Sequence, residues 1–266
     1  MEMFLGIIIF ILGTCVGSFI NMLVYRTAER YGLRKGAGKS TSADKLRPYD
    51  ENRSFCDWCG RQLKWYENVP VVSWVIQKGR TKCCGNPLPW EYPIVEMGMG
   101  IIFLLNFQFS IFNFQTILKL ITITLLIFST VFDLKYMILP DFSTYILIGI
   151  AFFGVVFDEP NIIPYLLSAL GAFGFLGLLY VVTKGKGMGF GDVKLAIFMG
   201  LFLGWPNIIV AFYLAFIIGA VVGVGLIVLK IRKRNQPIPF GPFLILGTVI
   251  AYFYGEKIMY YFSRWL

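Results

Sequence analysis

Apolar and polar positions in this 266-residue chain are sorted into long blocks. Eight runs are apolar over most of their length, near residues 4–24, 93–113, 115–133, 142–157, 162–182, 193–205, 207–229 and 241–262. A helix crossing a bilayer needs about 20 such residues. The runs therefore predict an all-α polytopic membrane protein with about eight transmembrane helices. The sixth run is short, and only Phe157-Asp158-Glu159-Pro160 parts the fourth from the fifth. One large polar stretch separates the first run from the second. The chain thus divides into a first span at 1–24, a cysteine-containing loop domain at 25–91, and a helical membrane core at 92–266.

Composition strengthens this reading. The chain is 57% hydrophobic and 15% charged, with a mean hydropathy of +0.71, and a soluble domain of this length could not hide so much apolar surface. The formal charge of +9 points to loops held against anionic lipid headgroups, with no nucleic-acid partner required. Residues 25–90 hold thirteen basic and six acidic residues, a net +7 of that total. Later basic residues (Lys135, Lys184 and Lys186, then Lys230 to Arg234) all fall on the same side. The opposite loops carry no charge (Gly204 to Asn207) or only acid (Asp158, Glu159), and Lys119 can snorkel to the interface. The positive-inside rule then places both termini outside the cytoplasm and every basic loop inside it. Residues 1–24 carry Glu2 rather than a basic n-region and show no small-residue cleavage site, so they are expected to remain as a span.

The chain has no histidine, which excludes Ser-His-Asp and Cys-His catalysis and histidine-ligated metals. Two aspartates stand out instead. Asp133 lies in Phe132-Asp133-Leu134-Lys135, and Asp192 closes Gly189-Phe190-Gly191-Asp192. Each sits where an apolar run meets a basic loop, and the charge pattern puts both at the cytoplasmic ends of their spans. Acids at membrane spans cost several kcal/mol to bury and usually mark function. Two on one face suggest a pair of carboxylates activating water, as in an aspartic protease. The plain alternative is that each only solvates a helix end, with Asp192 an N-cap for Val193 onward. Asp141, directly after Pro140, is the competing partner, and capping of the fourth span is its expected role. A proton-coupled transporter would want inverted repeats and mid-bilayer breaks, and the chain shows no repeat.

Cys56-x-x-Cys59 and the vicinal Cys83-Cys84 lie in the basic loop, where a cytoplasmic setting disfavours disulfides. A Cys-x-x-Cys followed by a second pair reads as a structural zinc ribbon, with Cys56, Cys59, Cys83 and Cys84 as metal ligands. Adjacent cysteines are an awkward second pair, because their thiolates point poorly at one ion. Cys15, inside the first span, is expected to pack.

Together these elements resemble the prepilin peptidases, bacterial membrane aspartic proteases of the GxGD type. The resemblance is carried by Gly17-Ser18-Phe19-Ile20-Asn21 with Tyr25-Arg26, and by Cys56-x-x-Cys59 with Cys84-Gly85 and Tyr92-Pro93-Ile94-Val95-Glu96. It continues through Phe132-Asp133 to Leu139-Pro140-Asp141, Gly187 to Leu195, and Pro239-Phe240-Gly241-Pro242-Phe243. The resemblance implies Asp133 and Asp192 as the catalytic pair. It implies cleavage of the basic leader of type IV prepilins and pseudopilins after a glycine, at the cytoplasmic face of the bacterial inner membrane. It further implies N-methylation of the new terminus with S-adenosylmethionine. The chain departs from the family's usual second Cys-x-x-Cys, since Thr81 stands where the first of those cysteines would be. A peptidase-only enzyme is the alternative that this departure raises.

Overall fold

The computed structural model describes residues 2–33, 54–56, 58–109, 113–233 and 236–265. The stretch 34–53, with Arg34, Lys35, Lys39, Lys45, Arg47 and Arg53 of the predicted basic loop, lies outside the described residues, as do Asp57 and Arg234. Among the described residues, eight helices of fourteen residues or more occupy the eight apolar runs: α1 (Glu2–Arg30), α3 (Glu91–Phe109), α4 (Phe114–Tyr136), α5 (Asp141–Asp158), α6 (Ile163–Val182), α7 (Phe190–Leu203), α8 (Asn207–Val228) and α9 (Gly241–Trp265). A short α2 (Val72–Ile76) lies in the loop region. Five segments among the described residues are long and apolar enough to cross a membrane: Phe4–Arg30, Phe114–Tyr136, Ile163–Val182, Asn207–Val228 and Gly241–Tyr261. Among the described residues extended pairing is limited to two isolated bridges, Phe55 with Gln62 and Arg80 with Pro87. The chain is an all-α multi-pass membrane protein.

Two compact units emerge, residues 1–124 and 125–266. In the first, α1 packs along α3. Small residues allow close helix approach in a membrane, and a Cβ on Gly17 would stand 2.6 Å from Glu96 Cα. Glu96 is buried and accepts a 2.6 Å hydrogen bond from the Val71 N–H, which ties the loop to α3. Asn21 Nδ2 donates to the Tyr92 carbonyl at 3.3 Å.

The second unit is built around α7. Nine of its fourteen residues are buried, and it packs against α5, α6, α8 and α9. A helix apolar all round belongs inside a bundle rather than against lipid, which accounts for its shortness. α4 ends at Tyr136, Met137 takes a left-handed φ of 57°, and α5 restarts at Asp141. Ser129 Oγ and Ser143 Oγ, 3.0 Å apart, close this hairpin from inside.

Candidate functional site

Asp133 and Asp192 both lie in the second unit, and both are buried. Asp133 stands one turn before the end of α4. Its Oδ2 accepts the N–H of Gly241, the first residue of α9, at 3.1 Å. Asp192 stands in the first turn of α7, where its Oδ2 accepts the Gly189 N–H at 3.1 Å. The N-cap reading weighed for Asp192 as the alternative to a chemical role is corrected: extended Gly189 is the N-cap, and the helix starts at Phe190. Asp192 reaches back to the cap from the third helical position, as the acidic member of a capping box does.

Leu139 joins these segments. A Cβ on Gly191 would meet Leu139 Cβ at 2.9 Å, and one on Gly241 would meet its Cδ1 at 3.3 Å. The turn after Asp133, the loop before Asp192 and the start of α9 thus press on one another through glycines. The charge on Asp133 bears directly on Asp192. Two neighbouring carboxylates shielded from water do not both ionise readily, so the pair is suited to share a proton. One member can then give a proton while the other takes one.

Asp141 corrects a second expectation. Pro140 is the N-cap of α5 and Asp141 makes no side-chain cap. Its carboxylate pairs instead with Lys194 Nζ at 2.7 Å. At the start of a helix a carboxylate is favoured whether or not it caps, so it remains free to take a cation. Neither this pair nor the Gly241 N–H was foreseen from the sequence. Their only signal there was the positions of the motifs.

The cysteines gather in the first unit. The Sγ atoms of Cys56, Cys59, Cys83 and Cys84 all lie within 4.8 Å of one another. Two turns of the same form present them. In one, the Cys56 N–H bonds Arg61 O at 2.8 Å and the Gly60 N–H bonds Cys56 O at 2.9 Å. In the other, the Thr81 N–H bonds Asn86 O at 2.8 Å and the Gly85 N–H bonds Thr81 O at 2.9 Å. Gly60 and Gly85 take φ of 71° and 70°, as such turns require. Thr81 holds in the second turn the place of Cys56 in the first. Its hydroxyl hydrogen-bonds Cys84 Sγ at 3.1 Å, and Cys83 brings the fourth sulfur from two residues along.

Sulfurs about 2.3 Å from a tetrahedral zinc lie about 3.8 Å from each other. Cys84 Sγ is 3.7 Å from Cys56 Sγ and 3.9 Å from Cys83 Sγ, so the donor set fits such an ion. Burial pushes the Cys56 thiol up to about 12. Burial also acts to raise Cys84, but hydrogen bonds from Thr81 and Asn86 outweigh it and bring the thiol down to about 6. Glu67 braces the first turn. The Lys64 N–H at 2.8 Å and Arg61 at 2.6 Å hold its carboxyl below the usual range.

The chain matches the bacterial peptidase A24 N-terminal domain over residues 11–109 and the type IV leader peptidase family over residues 120–224. It is 31% identical to a prepilin leader peptidase/N-methyltransferase of Bacillus subtilis (strain 168), covering 97% of each chain. It is 30% identical to the protein of that name from Legionella pneumophila, over 99% of this chain and 96% of the other. A counterpart from Aeromonas salmonicida (strain A449) is 29% identical over 97% of this chain and 92% of its own. No solved structure matches at a significant level.

Proposed function

Because the chain belongs to the prepilin leader peptidase/N-methyltransferase family, we propose that Asp133 and Asp192 are the pair with which it removes the leaders of type IV prepilins and pseudopilins. Leader cleavage and N-methylation are the family's two activities, and this chain is an enzyme of that kind. The observation that carries the residue assignment is the burial of two carboxylates in one unit, each accepting a glycine N–H, on segments that both pack against Leu139.

The protonated member donates to the scissile carbonyl oxygen while its ionised neighbour takes a proton from the attacking water. Oxygen bonds to the carbonyl carbon, the dyad passes the proton taken from water to the nitrogen as the carbon–nitrogen bond breaks, and the departing amine becomes the new N-terminus. The pair titrates as a unit, so acid and base belong to the dyad and not to one residue. The basic loops support a site at the cytoplasmic face of the bacterial inner membrane, with lipid headgroups as their partners. Methylation of the new amine takes S-adenosylmethionine as methyl donor. Cys56, Cys59, Cys83 and Cys84 would hold a zinc ion that braces the loop and takes no part in cleavage.

The test is leader removal by membrane-inserted variants. Asp133→Asn and Asp192→Asn are each expected to leave prepilin uncut, while Asp141→Asn retains measurable cleavage. Full processing by either of the first two sinks the assignment, and an Asp141→Asn enzyme equally dead means the wrong acids were paired.

A further inference from the structure

The pairing of Asp141 with Lys194 is used by neither carboxylate's proposed role, yet it joins the two segments that carry them. Asp141 opens α5 eight residues after Asp133, and Lys194 follows Asp192 by two. Lys194 Nζ is 2.7 Å from Asp141 Oδ1. The same ammonium lies 5.3 Å from the Phe190 ring centre and 5.4 Å from that of Tyr145. Residues four apart share a helix face, so Asp141 and Tyr145 face one way on α5, and Phe190 and Lys194 one way on α7. Two helix faces therefore meet around one cation. An exposed ion pair alone contributes little. Here the Lys194 side chain is only 18% exposed, and two rings add directional attraction for the ammonium.

We propose that Lys194 and Asp141 are positioning residues. They clamp the first turn of α7 to the first turn of α5 and so set where Asp192 stands relative to Asp133. Asp192 lies midway between Phe190 and Lys194 in sequence, two residues from each, and so projects from another side of the helix than the clamp. The residues between Asp133 and the clamp are a turn whose Leu139 packs on Gly191 and Gly241. Fixing the start of α5 therefore fixes the end of α4 as well. This inference rests on the reading of Asp133 and Asp192 as the catalytic pair.

The test uses the full-length enzyme in detergent and a prepilin carrying its leader. It measures kcat and KM for leader removal and the methylated fraction of the cut product. Lys194→Met and Asp141→Asn are each expected to lower kcat about tenfold at unchanged KM, since a small misplacement of a reacting group acts on the chemical step. The double variant falls no further, because both changes break one contact. Lys194→Arg keeps most of the activity, and the methylated fraction of cut product is unchanged in every variant. A double variant about a hundredfold down, the product of two independent losses, overturns the clamp. So does a raised KM with kcat intact. If Lys194→Met inserts poorly, Asp141→Asn, altered at a half-exposed side chain, decides the matter. Cleavage by Asp192→Asn removes the catalytic reading itself. An inactive Asp192→Asn beside wild-type kcat in both clamp variants removes the clamp alone.

Discussion

A methyl group on Gly241 would come within 2.6 Å of Asp133 Oδ2 and 3.3 Å of Leu139, so the position tolerates no side chain without moving the carboxylate. Gly241→Ala is expected to slow leader removal by about tenfold or more, given the sensitivity of chemistry to placement. Gly174→Ala, with nothing within 4 Å of its added methyl, is the control and should process prepilin normally. Unimpaired cleavage by Gly241→Ala would show that Asp133 does not depend on this contact. The two aspartates could be singled out as candidates in the sequence because acids at the ends of apolar runs, in a chain without histidine, are scarce and chemically pointed. Their partners were not legible. The Gly241 N–H reaches Asp133 from 108 positions away, and Lys194 reaches Asp141 from 53. Nothing local announces contacts of that span, so Asp141 read as a cap by its neighbour Pro140 alone.

Helix positions followed the apolar runs because burial in lipid or in a bundle rewards the same residues. Their ends depended on backbone detail. α7 was expected from 193 and begins at Phe190, since an aspartate after glycine resembles a cap whether it stands at the cap or three residues inside. In the cysteine element, the pairing of two like turns around Gly60 and Gly85 brings adjacent thiols together that looked ill placed in sequence. Replacing Cys56 and Cys59 by serine removes two soft donors and should abolish any bound zinc. Methylation is then expected to fall steeply and cleavage much less, with the mature pilin N-terminus read by mass spectrometry. A wild-type product cut but never methylated would identify a peptidase-only enzyme. In metal-free protein, the Cys84 thiol at about 6 stands below its ordinary 9.0. Its thiolate therefore stabilises the folded loop fully above pH 9.0, and that contribution is lost as pH falls through about 6. Alkylation of Cys84 should follow the same rise, half-maximal near pH 6, while Cys56, pushed the other way to about 12, stays unreactive at neutral pH. Equal reactivity of the two would refute this division of labour.

For the whole molecule, the helices of the described residues were legible from hydropathy, and charge gives an expected sidedness. The division into units at residue 124 was not, because it falls inside α4, where no polar break marks it. Orientation remains the property most open to direct measurement. In a background with the native cysteines replaced, a cysteine at Lys233 should label only from the cytoplasmic side and one at Glu159 only from outside. The reverse pattern would put the aspartates on the wrong face for a substrate whose leader is cytoplasmic.

The paired turns of the cysteine element also bear on how such a cluster is spelled in a chain. The second turn presents a sulfur from position 83 while Thr81 holds the place that Cys56 holds in the first. Four thiols can therefore be gathered by two like backbone turns without two like cysteine spacings. What the folded loop repeats is its turn, and the letters that fill the turn are free to differ.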